Sequence, residues 1–495
     1  MKNKETRSTG GTTTKGKAEQ IDSGVGSVHS SEDTVPDLWW TGKYAEERRD
    51  ATCSTGSKRR EGCGDGLRGL TAPDKVRQLQ ITLYRKAKSK PQYRFWSLYG
   101  EIQRIDVLEA AWRRVKANGG AAGIDGVRVE DLTKDREWLT RIKQELRNKT
   151  YRPMPVRRVE IPKANGSKRG LGIPTIKDRV VQMATYLVLM PIFEADFHPH
   201  SYGFRPKKGA QQAVEEIRAT LRKGKTEVID ADLAKYFDTI PHQKLMRQVA
   251  RRVSDGEVLK LLKAWLRAPV LEQNQEGCSI KANRCGTPQG GVISPLLANL
   301  YLHPLDEAVN ERCRDRRGSQ PTMIRYADDL VIFCRPGQAS GIKERLSRWL
   351  QRNGLTLNEE KTRVINSYET GVDFLGYNFR WQKSRKAKNY VHIEPSAAAE
   401  QRLRNRLREI TQRSMTLKAA CEVVAEINEI TVGWGNYFAL GHYHRSFGQM
   451  NHFMAQRLRQ WLRCKHRKKW GKYHCWPNHT LFSEYGLYRL PTDFA

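Results

Sequence analysis

The residues best placed to do chemistry are acidic. In TMIRYADDLVIF (residues 322–333), Asp328 and Asp329 stand side by side between two short apolar runs. Adjacent carboxylates repel each other, and an unpaired buried charge is costly. The two β-prone halves with YADD between them read as a hairpin whose turn carries the acids, where they are exposed and not buried. Such a pair is tolerated when a divalent cation sits between the carboxylates. Mg²⁺ prefers oxygen and is commonly held by one or two carboxylates plus substrate phosphates. A second acidic strand end lies in TEVIDADLAKYFDTI (226–240), where Asp230 and Asp232 share one face by the period of two. A strand with an acid beside a hairpin with two would bring three carboxylates together. Two metal ions about 3.5–4 Å apart need such a trio to clamp the attacking and leaving oxygens of phosphoryl transfer. An Asp-Asp turn alone is common in solvated loops; the second acidic segment gives this one weight.

The rest of the composition supplies the phosphate context. The 495 residues carry 88 Lys and Arg against 54 Asp and Glu, a net charge of +34. That excess points to a polyanionic partner, nucleic acid by default, because solubility alone needs far less charge. The length suffices for about two to four domains with real cores. No stretch approaches ~20 apolar residues and no charged-then-apolar signal opens the chain, so neither a membrane partner nor secretion is expected. The nine cysteines include no CxxC pair, which fits reduced thiols and a cytoplasmic location. Cys464, His466, His474 and Cys475 cluster in sequence, but their spacing fits no usual zinc pattern and Lys and Arg crowd them.

The elements that must position the acids are legible in outline. Residues 1–72 are rich in Gly, Ser, Thr and basic residues and read as a flexible basic leader. Helical spacing follows in VRQLQITLYRKA and VLEAAWRRVKAN, and GGAAGIDG (119–126) breaks it. In VRRVEIPKANGSKRGLGIPT (156–175), apolar and basic residues alternate on each side of Asn165-Gly166, which predicts a hairpin. DRVVQMATYLVLMPIFEADF (178–197) predicts a long buried helix, VIDA a buried strand, and GTPQGGVISPLLANLYLHPLDEAV (286–309) a glycine-rich loop feeding a helix. TRVIN and VDFLGYNFRW read as further short strands, and the chain beyond about residue 395 as basic helices. No internal repeat is evident.

In combination these segments resemble the reverse transcriptases encoded by group II introns, over about residues 75–475. RVEIPKANGSKRGLGIPTIKDRVVQ resembles the family's fingertip and adjacent helix, and SYGFRPKKGAQQAV (201–214) the segment after it. VIDADLAKYFDTIPH, GTPQGGVISPLLANLYL and YADD resemble the first three palm motifs, and GLTLNEEKT and FLGYNF the next two. GWGNYF (433–438) and RLRQWLRCKHRKKW resemble the thumb, called domain X or the maturase domain. The resemblance implies an α+β right-hand polymerase with fingers (73–225), palm (226–385) and a mostly helical thumb/maturase (X) domain with a basic tail (386–495). It also implies a metal-binding and catalytic triad of Asp232, Asp328 and Asp329 holding two Mg²⁺ ions, for which Mn²⁺ is a possible substitute.

Other roles follow from the same resemblance. Asp230 falls outside the family's catalytic position and reads as a hydrogen-bonded strand-edge acid. Phe237 resembles a steric gate, a flat ring that leaves no room for a 2′-OH. Lys163 and Arg169 resemble the fingertip cations that grip the incoming triphosphate. Gln289 and Gly290 resemble the loop packed against nucleotide and template, and Lys361 a lysine that protonates pyrophosphate. One departure stands out: the family usually reads RPLGIP, and here Gly170 replaces the Pro.

In the C-terminal part, Arg402, Arg404, Arg406 and Arg408 alternate, and Arg457, Arg459, Arg463, Lys465, Arg467, Lys468 and Lys469 recur with Trp461, Trp470 and Tyr473 interleaved. Basic groups bind phosphate and aromatics stack on unpaired bases. Each Trp by itself reads as core, and the basic face as an RNA contact. The implied partners are group II intron RNA, a DNA target and primer, and dNTPs; the implied function is cDNA synthesis with assistance to splicing and retrohoming. The chain ends at Ala495, some twenty residues past the basic helix, which implies the form without the family's C-terminal DNA endonuclease. Two alternatives remain: a domesticated relative serving phage defence or DNA repair, and an RNA-binding splicing cofactor with an inactive palm.

Overall fold

The computed structural model describes residues 72–492, apart from 136, 163–167, 275, 276, 314–319, 385, 387 and 469–471. Residues 1–71 of the expected leader, the Asn165-Gly166 turn, Lys163, Lys469 and Trp470 therefore lie outside the described residues, as does the side chain of Arg169.

The described strands, numbered in chain order, form three sheets. The central one has the order β6-β7-β3-β8 and consists of β3 (Glu227–Ala231), β6 (Thr322–Tyr326), β7 (Asp329–Cys334) and β8 (Arg363–Asn366). Its inner strands read as unbroken apolar runs because both faces are covered. Ile229, Met323, Leu330 and Ile332 pack into one cluster with the helices Ile176–Glu194 and Ser294–Glu307. Val228, Ile324, Val331 and Phe333 face the other cluster, with the helix Ala210–Arg222 and the C-terminal helices.

The helix Ile176–Glu194 is apolar all round, the pattern of a helix enclosed by protein. Thr175 caps it, its hydroxyl accepting from the Asp178 amide at 3.1 Å. Asp178 is buried with it, accepting from the Tyr151 hydroxyl and the Met154 amide, so the carboxyl is not left without partners.

The predicted hairpin is present as β1 (Val156–Pro162) and β2 (Lys168–Ile173), paired antiparallel from Arg157↔Ile173 to Pro162↔Lys168. Sequence reasoning did not anticipate its neighbours. β1 also pairs in parallel with β4 (Val270–Asn274), which forms a second hairpin with β5 (Gly277–Lys281). VDFLGYNFRW supplies β9 (Val372–Phe374) and β10 (Tyr377–Lys383), joined through Leu375 and Gly376 at φ 52° and 76°. With β11 (Asn389–Pro395) they form a separate sheet, order β11-β10-β9. The helices Ala397–Ile410, Ala420–Phe438 and His444–Lys465 complete the chain's basic end. No described helix is long and apolar enough to cross a membrane.

Candidate active site

Strand register brings the acids together. β6 and β7 close on the pair Tyr326↔Asp329, leaving Ala327 and Asp328 as a two-residue turn. Ala327 has φ 59°, a left-handed conformation that costs an L-residue about 1–2 kcal/mol. β3 and β7 pair antiparallel up to Ala231↔Leu330. Asp232 follows Ala231 and Asp329 precedes Leu330, so the next step of that register sets these two acids opposite each other. Asp230 shares the face of Asp232, but β3 is an interior strand, so Asp230 is flanked by Val331 and Arg363 and does not lie on a sheet edge.

Electrostatics records the convergence. Asp329 is exposed at the head of β7. Loss of water around its carboxyl and the charges of Asp328, Asp232 and Asp230 push its pKa up to about 7, while Lys361 opposes the rise. Burial likewise raises Asp230 to about 6, with Arg363 opposing and Asp232 contributing. Asp232 is held from the side. Asn358 donates its Nδ2 to Asp232 Oδ2 at 3.0 Å, and Lys361 Nζ lies 3.6 Å from the same oxygen.

The donor chemistry suits Mg²⁺: hard oxygen ligands that repel one another until a cation joins them. Among the described residues no three His, Cys, Asp or Glu side chains are drawn into a ready-made metal cage. Asp232, Asp328 and Asp329 are the residues that would hold the ion.

Phe237 lies in the short helix Tyr236–Thr239, buried, with the rings of Tyr236 and Phe204 edge-on at 5.5 and 6.5 Å. The glycine-rich loop is bonded to its backbone. Thr287 N donates to Phe237 O at 2.7 Å, and Gly286 N to Ile240 O at 2.8 Å. Gly286 has φ +84°, and a Cβ there would sit 2.7 Å from the carbonyls of Phe237 and Asp238. Gln289 Nε2 points to the Asp238 carboxylate at 3.4 Å, while its carbonyl accepts from the Gly172 amide of β2. Gly290, φ +105°, lies so close to the Gly172 carbonyl that a side chain would collide with it. The loop is thus wedged between the Phe237 segment and β2, the strand that carries Arg169. At Gly170 the space a proline would fill is taken by the Arg158 guanidinium, which would stand 2.6 Å from a Cβ at that position, and Arg158 pairs with Glu272 at 3.3 Å.

The basic C-terminal residues divide into two groups. Arg459 is buried; its Nε donates to Trp476 O at 2.7 Å and its Nη2 to Asn478. Arg457 donates to the Thr411 carbonyl and hydroxyl, and Lys465 to the carbonyls of Thr416 and Lys418. These three act within the fold, a role that composition and spacing did not assign them. Arg467 and Lys468 are exposed and Arg463 is half-exposed. Trp461 is core, as each Trp was expected to be. Arg404 and Arg406 are paired with Glu400 and Glu409.

Sequence comparison bears on this arrangement. Residues 161–379 match the family described as reverse transcriptase (RNA-dependent DNA polymerase), and residues 400–476 the group II intron, maturase-specific domain. Protein YkfC of Escherichia coli (strain K12) is 34% identical over 346 residues, 63% of this chain and 90% of that protein. Group II intron-encoded protein LtrA of Lactococcus lactis subsp. cremoris is 30% identical over 356 residues. The chain belongs to the group II intron reverse transcriptase/maturase family. The match to LtrA spans 59% of this chain and 58% of LtrA. An uncharacterized 91 kDa protein in the cob intron of Schizosaccharomyces pombe is 26% identical over 452 residues, 74% of this chain and 54% of that protein. In this family member, the reverse transcriptase match contains all three acids, Phe237 and the glycine-rich loop, and the maturase-specific match contains Arg457 to Lys469.

Proposed function

We propose that the protein is an RNA-directed DNA polymerase encoded by a group II intron, which also binds the intron RNA to assist its splicing and mobility. In this reading the molecule is a right hand, with fingers before β3, a palm built on the central sheet and a helical thumb after β11. The observation that supports the proposal is the register of β3 against β7, whose last pair, Ala231↔Leu330, joins the immediate neighbours of Asp232 and Asp329. Bound divalent ions would lower the charge on the nucleotide's phosphates and on the attacking oxygen.

The chain's own groups supply the rest. The three carboxylates would hold the ions against which primer and triphosphate are positioned. Phe237 lies beneath the sugar and excludes a 2′-OH. Gln289 and Gly290 bring backbone close to nucleotide and template. Lys163 and Arg169 hold the triphosphate, and Lys361, whose ammonium lies 3.6 Å from Asp232, gives a proton to departing pyrophosphate. The primer 3′-OH attacks the α-phosphate of a dNTP, and pyrophosphate leaves. Arg463, Arg467, Lys468 and Lys469 contact RNA phosphates.

Extension of a DNA primer on an RNA template tests the enzyme. Asp328→Ala should abolish cDNA synthesis; synthesis that persists would refute the assignment and leave a splicing cofactor with an inactive palm.

A further inference from the structure

One side chain beneath the acidic turn has no part in the chemistry of the three carboxylates. Arg325, in β6, is fully buried and uses all five of its N–H donors. Its Nε and Nη2 grip the two oxygens of Asp306, on the helix Ser294–Glu307. Nη2 also reaches Ser201 Oγ at 2.8 Å, and Nη1 reaches Asn299 Oδ1 at 2.8 Å. The fifth donor, on Nη1, bonds the carbonyl of Ala327 at 2.8 Å. That carbonyl belongs to the left-handed residue of the turn and is followed directly by Asp328 and Asp329.

A left-handed alanine persists only where its surroundings over-determine it. The surroundings here are specific. Arg325 holds the turn from below, and Gly203 packs so tightly on Ala327 that a side chain at 203 would collide with the Ala327 amide. Asn299 ties the pieces together, donating Nδ2 to Gly203 O at 2.7 Å while accepting from Arg325. Backbone bonds between Arg325 and residues 200 and 202 fix the same segment. Lysine could not replace this arrangement, because an ammonium has three donors on a flexible stem and cannot span Asp306 and the turn as a planar fork does.

We propose that Arg325 is a positioning residue for the Asp328–Asp329 pair. By holding the Ala327 carbonyl, it keeps the strained turn in the one shape that presents both carboxylates toward Asp232. The proposal rests on the polymerase reading for its catalytic consequence, but its structural content stands apart from that reading.

The test uses full-length Arg325→Lys. Four quantities are read: the Mg²⁺ concentration giving half-maximal extension on poly(rA)–oligo(dT), the deuterium exchange of residues 326–330 in protein without metal or substrate, the affinity for poly(rA)–oligo(dT), and the KM for dTTP. We expect the Mg²⁺ requirement to rise about tenfold, in line with other residues that orient metal ligands. Exchange should accelerate, while template–primer affinity and the KM for dTTP stay unchanged. Wild-type values for both Mg²⁺ requirement and exchange would overturn the proposal. If Arg325→Lys does not fold, Asn299→Ala decides. It leaves the Arg325–Asp306 pair intact and should shift both readouts in the same direction by about threefold; no shift in either would overturn the proposal. If wild-type protein extends no primer, the polymerase reading fails, and the exchange measurement alone decides for Arg325.

Discussion

Asn358 holds Asp232 at two points: its amide donates to the Asp232 carbonyl at 2.8 Å, and its side-chain Nδ2 to the Asp232 carboxylate at 3.0 Å. It lies in the loop after the helix Ala339–Arg352, whose Leu357 bridges to Leu233. The acid that must face the Asp328–Asp329 turn is therefore aimed by a segment more than a hundred residues away in the chain.

This pairing predicts a graded defect. In Asn358→Ala the backbone bond to the Asp232 carbonyl remains, but the Asp232 carboxylate loses its amide donor and keeps the Lys361 ammonium at 3.6 Å, an exposed pair that orients little. Primer extension should fall about 10–100-fold with a raised Mg²⁺ requirement, while the melting temperature changes little. Unchanged steady-state kinetics in the variant would show that Asp232 needs no such support.

The raised carboxyl pKa values predict a pH dependence in the metal-free protein. A carboxyl with a higher pKa folded than unfolded binds its proton more tightly in the fold. The stability it contributes is full below its unfolded pKa of about 4 and is lost as pH rises through the folded value. For Asp230 that loss runs from about pH 4 to about 6, and for Asp329 from about pH 4 to about 7. Melting temperature without divalent ions should therefore fall between about pH 4 and pH 7 and level off above. Added Mg²⁺ should restore it more at pH 8 than at pH 6, because protons compete for the same oxygens. Differential scanning fluorimetry measures both trends, and Asp329→Asn should flatten them.

The two groups of C-terminal cations should separate by experiment. Arg459→Ala removes a buried guanidinium and orphans the Trp476 carbonyl, a loss of about 1–3 kcal/mol in unfolding measurements. Arg467 and Lys468, exposed as they are, should alter stability little when both become Ala. That double variant should instead weaken RNA binding and reduce its salt dependence, by about 0.7 in slope for each single-strand phosphate that is no longer neutralised. Filter binding over a salt series measures both effects.

How much of this was legible in the sequence depended on whether the signal was local. The central sheet was readable because VIDA, MIRY and LVIFC are short, mostly apolar runs that adjoin acids, and the period of two already put Asp230 and Asp232 on one face. The pairing of Val156 with Val270 was not, since nothing in either segment names a partner over a hundred residues away. Arg325 gives no signal of its own, because a single basic residue beside aspartates looks like a surface ion pair until its burial is seen. Arg459 was not recognisable either. Phe447, Met450, Met454, Leu458 and Leu462 mark the buried stripe of their helix, and Arg459, twelve residues after Phe447, falls about 120° round the helix from it, beside the stripe and not on it. Its burial comes from the Trp476 and Asn478 segment that folds over it. At Gly170 the departure from the family pattern was visible, but the Arg158 guanidinium that occupies the space beside it was not.

The central claim is that Asp232 and the Asp328–Asp329 turn hold the same divalent metal. Iron-directed backbone cleavage tests it most directly. Fe²⁺ is substituted for Mg²⁺ in the protein with primed RNA and dNTP, peroxide and ascorbate are added, and the fragments are mapped by mass spectrometry. The account predicts cuts beside residue 232 and beside residues 328–329 together, with both lost in Asp328→Ala. Cuts at one of these places without the other, or confined elsewhere in the chain, would contradict it.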